Sequence, residues 1–322
     1  MKLFFKLNHY VRPYFEDTYY SGIPEVEAFA APQSRYWIAG YENNVVKKKW
    51  TFEDGIPMGL YNSGWSGNKA RRTHISALTE YFFALDIVEQ KDECVRIIDF
   101  ITENLYEDTC PVSGTYRYWR TYLSEHSSDY FVHGMGQGQI LSALIRARMI
   151  DNSDKLDVII IQVANSFKVK FEDNNGFVDR SKGTILQEYP HLGLVNNAVL
   201  NGWVLSAIGL YDYLNAGFQD PLIQDIFEDT ISTLKNKLPE YSIGYWTLYN
   251  LPTSYKNIAS AHYHGQHIVF LNVLGVLLDD TKLVQFSREA KVKSNNIKAR
   301  LLALFVKVFA NIVKYKRLYK SK

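Results

Sequence analysis

The run Leu200-Asn201-Gly202-Trp203-Val204-Leu205-Ser206-Ala207-Ile208-Gly209-Leu210-Tyr211-Asp212 carries no charge before its last residue and one amide near its start. Three turns of helix that are apolar on every side belong in an interior, not on a surface. The central motif Leu205-Ser206-Ala207-Ile208 has counterparts in Ile75-Ser76-Ala77-Leu78, Leu141-Ser142-Ala143-Leu144 and, more loosely, Val269-Phe270-Leu271-Asn272. Their starts lie 66, 64 and 64 residues apart. Small or polar residues precede each motif (Thr73-His74, Gly138-Gln139, Asn201-Gly202, Gly265-Gln266). An aspartate or asparagine lies near each end (Asp86, Asp151, Asp212 with Asn215, Asp279). Amphipathic segments near 92–106, 155–169, 219–238 and 281–292 alternate with them. One buried and one half-buried helix per repeat, about four times over, predicts an all-α fold, an incomplete α/α toroid of helical hairpins. The motif positions set the expected starts of the inner helices.

Working outward, residues 1–55 lack a clear period and read as an irregular or strand-containing arm. Residues 56–292 form the toroid, and residues 293–322 a basic amphipathic tail. Segments 107–134, 170–196 and 239–261 are long connections that end just before successive inner helices, and connections of that length are often functional. Asp173-Asn174-Asn175-Gly176 is a hairpin-like turn signal within 173–185. The apolar content of 47% suits a globular chain, and 23 tyrosines against 6 tryptophans suit either a Tyr-rich core or a carbohydrate cleft. Cys94 and Cys110 make neither a disulfide framework nor a zinc spacing. The opening Met1-Lys2-Leu3-Phe4-Phe5-Lys6 is too short an apolar run for a secretion signal, and no run of about 18 apolar residues occurs. The expected address is cytoplasmic.

The repeat directs the starts of the inner helices at one mouth, where backbone N–H groups favour an anion. Met135-Gly136-Gln137-Gly138-Gln139, Glu188-Tyr189-Pro190, Asn201 and Tyr263-His264 all converge there, with Tyr249 in the connection before the last repeat. An acid, phenols and an amide in one pocket can move a proton on a sugar without a cofactor. Gly136 and Gly138 also fit close helix packing. A phenol held as phenolate at neutral pH needs roughly 4 kcal/mol from cationic neighbours or helix N-termini. His264 and His267, at i and i+3, have no acid at a zinc-protease spacing, so they are expected to bind substrate or serve the core rather than hold a metal.

Taken together these blocks resemble the D-glucuronyl C5-epimerase family over roughly residues 125–275, with a looser match from Gly55 to Asp86. The likeness rests on Glu188-Tyr189-Pro190, Leu200-Asn201-Gly202, Gly209-Leu210-Tyr211-Asp212 and Tyr263-His264 with His267-Ile268; Tyr249-Asn250-Leu251 corresponds to the tyrosine between them. The resemblance implies cofactor-independent epimerisation of glucuronic to iduronic acid within a polysaccharide of the heparosan type. Tyr189, Tyr249 and Tyr263 would transfer protons, Glu188 would assist them, and Gly136, Gln137, Gln139, Asn201, His264 and His267 would line the substrate site. Two departures stand out. Where the family has arginines, this chain has Pro252 and Ser260, and Arg71, Arg72, Arg117 or Arg120 would have to compensate. The β-sandwich of vertebrate members has no counterpart after the first helix.

Two other readings stay open: a polysaccharide lyase using the same enediolate, and a glycan-binding protein without activity. The expected partner is an acidic polysaccharide, not a nucleic acid, and the oligomeric state stays undetermined. From Lys282 to Lys322 there are twelve Lys/Arg and one acid, Glu289, a net +11 against −9 for the rest. Within 296–318, Ile297, Leu301, Leu304, Phe305, Val308, Ile312 and Tyr315 recur at helical spacing. That pattern fits a last helix packed on the body, a polyanion grip, or peripheral attachment to an anionic membrane.

Overall fold

The computed structural model describes Tyr14 and residues 51–62, 69–72, 74–87, 89–122, 130–151, 154–190, 198–251 and 257–320. The expected arm over 1–55 lies outside them except for Tyr14 and its last five residues, and Pro252 is also outside. The described chain is mostly helical, with small antiparallel sheets.

Eight helices form four sequential hairpins: α1 (Ile75–Ile87) with α2 (Lys91–Glu103), α3 (Gly134–Asp151) with α4 (Asp154–Asn165), α5 (Leu200–Asn215) with α6 (Pro221–Lys237), and α7 (Ala261–Leu277) with α8 (Thr281–Ser294). A ninth, α9 (Ile297–Lys320), follows. The odd-numbered helices pack side by side in the order α1, α3, α5, α7, and each even-numbered helix covers its own partner. Burial follows the sequence pattern. Every residue of α5 from Leu200 to Leu210 is buried, whereas α2 buries Cys94, Ile97, Ile98 and Ile101, one face of an amphipathic helix. The last two hairpins share a device at their outer ends. Asp220 caps the first turn of α6 and Asp280 that of α8, each accepting two backbone N–H bonds. Each cap also pairs with a lysine from the preceding hairpin, Lys168 just after α4 with Asp220 and Lys235 in α6 with Asp280, both at 2.5 Å.

Glycine sets the closest crossing. A methyl group on Gly209 would lie 2.3 Å from the carbonyl oxygen of Gly138, and one on Gly138 would lie 2.5 Å from the Ser206 Cα. Helices α3 and α5 therefore meet backbone to backbone, the packing role open to Gly138. Polar ties inside the core are paired: Trp203 donates to the Thr230 hydroxyl at 2.7 Å, and that hydroxyl donates to the Thr184 carbonyl.

Three expectations need correction. The inner helices after α1 do not open at Leu141, Leu205 and Val269 but five to eight residues earlier, at Gly134, Leu200 and Ala261. Gly138-Gln139, Asn201-Gly202 and Gly265-Gln266, expected to precede these helices, lie within them. The fold is not purely helical either. The connections are stapled by β1 (Thr51–Glu53), β2 (Ile56–Asn62) and β3 (Lys69–Arg72) before α1, then by the hairpins β4 (Tyr106–Cys110)–β5 (Gly114–Tyr118) and β6 (Arg120–Tyr122)–β7 (Tyr130–Val132) before α3. β8 (Val178–Asp179), β9 (Ile185–Leu186) and β10 (Ala198–Val199) precede α5, and β11 (Asn250–Leu251) precedes α7. Such short strands carry too few alternations to show a period of two. The turn at Asp173–Gly176 exists, with Asn175 at φ 66°, but it feeds the β8–β9 hairpin, whose tip holds Gly183 at φ 85°.

Candidate functional site

The first turns of α3, α5 and α7 and the strands that precede them build one cluster. Gln187-Glu188 passes between two glycines. A methyl on Gly134, at the first position of α3, would lie 2.3 Å from the Gln187 carbonyl oxygen. One on Gly202, in the first turn of α5, would lie 2.3 Å from Glu188 Oε2. The Glu188 carboxylate thus rests against a helix N-terminus, where the peptide dipoles favour negative charge. It is buried, its Oε1 lies 3.6 Å from His133 Nε2, and its Oε2 accepts no hydrogen bond among the described residues.

His133 caps α3. Its Nδ1 accepts the Gly136 N–H at 2.8 Å, so a neutral imidazole carries its proton on Nε2, facing Glu188. His74 does the same for α1, accepting the Ser76 N–H at 3.2 Å, and the two rings meet edge to face at 5.9 Å. Sequence reading named His74 only as a spacer and missed His133. The available signal was register: both histidines directly precede an inner helix.

Tyr189 packs against Phe131 at 5.7 Å and His133 at 5.8 Å. Its hydroxyl is close enough to the side chains of Glu188 and Tyr249 for both to shift its pKa. Tyr249 is held by its backbone. Its carbonyl accepts the Leu200 N–H at 3.0 Å, its N–H donates to the Asn257 carbonyl at 2.7 Å, and the β10–β11 pair fixes the strand beside it. The Tyr249 and Tyr263 rings lie 4.7 Å apart. Glu188, Tyr189, Tyr249 and Tyr263 therefore form one cluster in which each phenol is shifted by the Glu188 charge.

All three phenols are held protonated. Burial, then the Glu188 charge, pushes Tyr189 and Tyr249 well above the usual phenol value, and the same two causes lift Tyr263 to about 12. The neighbour that dominates is an acid rather than a cation, so the phenols stay neutral donors.

The remaining candidates divide. Asn201 is buried in the first turn of α5, its amide 3.8 Å from Met135 Sδ and its Oδ1 unpartnered among the described residues. Gln139 is buried on α3, also with an unpartnered Oε1. Gln137 is tied into the fold: its amide accepts the Trp119 N–H and donates to the Arg117 carbonyl and the Ser166 hydroxyl, so it links β5 to the α4 end. Gly136 is likewise a packing residue, since a methyl there would lie 2.7 Å from Ile75. His264 and His267 were expected to bind substrate or serve the core. Both Nδ1 atoms lie 2.8 Å from the Thr247 hydroxyl, and His264 stacks on Trp246 at 3.7 Å. One hydroxyl between two imidazoles donates to one, which is therefore neutral, and accepts from the other. Burial holds His264 well below its usual value and His267 down to about 3, so both favour the neutral form.

Of the arginines considered as compensation, Arg117 pairs with Glu107 at 3.0 Å, and Arg120 is clamped over the Tyr106 and Tyr130 rings at 3.7 and 4.2 Å. Ser260, at one of the departing positions, caps α7 by accepting the Tyr263 N–H at 3.3 Å. Among the described residues no group of three His, Cys, Asp or Glu could hold a metal ion.

A family model described as D-glucuronyl C5-epimerase C-terminus matches residues 112–291, which include His133, Glu188 and all three tyrosines. A D-glucuronyl C5-epimerase from Caenorhabditis elegans is 29% identical over 165 residues, 45% of this chain and 26% of that protein. The match thus spans about a quarter of the worm enzyme's length.

Proposed function

The chain belongs to the D-glucuronyl C5-epimerase C-terminal family, and from that premise we propose that it inverts C5 of a glucuronic acid residue within an acidic polysaccharide, giving iduronic acid without a cofactor. The four hairpins are taken as an incomplete α/α toroid, with the cluster at the mouth formed by the inner-helix N-termini.

The C5 hydrogen lies α to the uronate carboxylate, so its removal generates an enediolate. Tyr189 takes this proton on one face of the ring while its own hydroxyl proton passes to Glu188. Tyr263 returns a proton to the opposite face, and Tyr249 links the two phenols so that the resting state is regained. A neutral phenol suits the donating step, and a phenol backed by a carboxylate suits the abstracting one. The N-termini of α3, α5 and α7 would receive the uronate carboxylate and stabilise charge developing on it. Unspent acceptors on Asn201 and Gln139 suit sugar hydroxyls.

The single observation that carries the reading is the clustering of Glu188, Tyr189, Tyr249 and Tyr263 beside the inner-helix starts. The experiment is incubation with a glucuronate polymer in deuterium oxide, read by NMR. Deuterium at C5 and iduronate signals are expected, with no chain cleavage. An unsaturated, ultraviolet-absorbing product would identify a lyase instead, and a polymer series without any exchange would leave a glycan-binding protein.

A further inference from the structure

Helix α9 is attached to the body by the side a soluble helix would normally show to water. Over residues 297–310 its buried residues are Ala299, Arg300 and Ala303, with Leu304 and Val306 partly covered. Ala303 joins a small core with Trp246, Ile258 and Ala259, and Lys307 donates to the Ile258 carbonyl at 2.7 Å. The large apolar side chains point the other way. Ile297 is 52% exposed, Leu301 48%, Phe305 69% and Phe309 60%, with Leu302 and Val308 beside them. At 100° per residue these six fall within an arc of about 140°. Val292 on α8 is 71% exposed as well. No described helix is long and apolar enough to cross a membrane.

We propose that this face of α9 docks the protein on an anionic lipid surface, with the phenylalanines entering the headgroup region and the surrounding lysines and arginines meeting lipid charge. Two observations select this occupant. The segment 282–322 carries net +11 with Glu289 as its one acid, so it complements an anionic surface and would repel a second copy of itself across a two-fold contact. An acidic polysaccharide would call for a basic row, whereas the outward arc is centred on Phe305 and Leu301. The inference is independent of the chemistry proposed for the Glu188 cluster.

The test is co-sedimentation of the full chain with vesicles of phosphatidylcholine alone and of phosphatidylcholine mixed with phosphatidylglycerol. The chain is expected to sediment with the mixed vesicles, to stay in solution with the neutral ones, and to be released by added salt. Phe305→Ser with Phe309→Ser, both at exposed positions, should weaken binding on the order of tenfold or more per phenylalanine and leave the melting temperature unchanged. Failure of the full chain to sediment with the mixed vesicles overturns the proposal, as does equal binding by the double variant or equal binding to neutral vesicles. A concentration-dependent dimer abolished by the double substitution, without vesicle binding, would assign the face to a second copy and overturn it too.

Discussion

Tyr263 and His264 are consecutive in the first turn of α7, yet they belong to different regions. Tyr263 keeps some exposure, faces Tyr249 and joins the cluster around Glu188. His264 is fully buried, stacked on Trp246 and bonded with His267 to one threonine hydroxyl. Both regions concentrate polar side chains at one helix start. They differ in charge. Burial keeps the two imidazoles, which share the Thr247 hydroxyl through their Nδ1 atoms, uncharged. The acid–phenol cluster sets a buried carboxyl oxygen, without a hydrogen-bond partner among the described residues, beside phenol protons held well above neutrality.

The sharpest way to break this contrast is Tyr189→Phe. Ring packing against Phe131 and His133 survives, but the hydroxyl is lost. Exchange at C5 is expected to fall by about two to four orders of magnitude with the melting temperature unchanged, and Tyr263→Phe should behave alike. Deuterium incorporation near the wild-type rate would remove that tyrosine from the reaction.

Gly202→Ala probes the seat of the carboxylate. The added methyl would occupy the space of Glu188 Oε2 and push it from the α5 N-terminus. Misplacement on the scale of an ångström should cost about a hundredfold in exchange rate, with a smaller change in stability. A variant that unfolds rather than slows would make Glu188 a structural residue.

The smallest effect is expected on the imidazole side. Thr247→Val strips both buried rings of their shared hydroxyl and should lower unfolding free energy by about 1–3 kcal/mol, with the exchange rate per folded molecule unaltered. Because the folded His267 value is depressed to about 3, unfolding takes up protons. Its contribution to stability is therefore complete above the ordinary histidine range, about 6.5, and is lost as pH falls from there toward about 3. Denaturant titrations across that window check the slope in the wild type and in Thr247→Val; a flat profile would mean that His267 is not held neutral.

The helical hairpins were legible because burial on all sides and burial on one side leave different periods, and those periods alternate from Ile75 to Ala290. The helix starts were not legible, since Gln139, Asn201 and Gln266 look like polar spacers ahead of the helices to which they belong. Short strands such as β10 and β11 leave two residues each and no period at all. The inverted attachment of α9 was hidden for a related reason: helical spacing identifies an apolar stripe but not what it faces.

Sequence by itself therefore determined the repeat, the charge division between body and tail, and the residue types Glu188, Tyr189, Tyr249 and Tyr263 as candidates for proton chemistry. Only tertiary structure brought these four into one cluster, set His133 beside Glu188, and seated His264 and His267 on Thr247. The physical reason is rotation and register. Successive residues on a helix point about 100° apart, so neighbours in the chain diverge into cleft and core. The partners that satisfy a buried polar group, or leave it unsatisfied, come from segments tens of residues away.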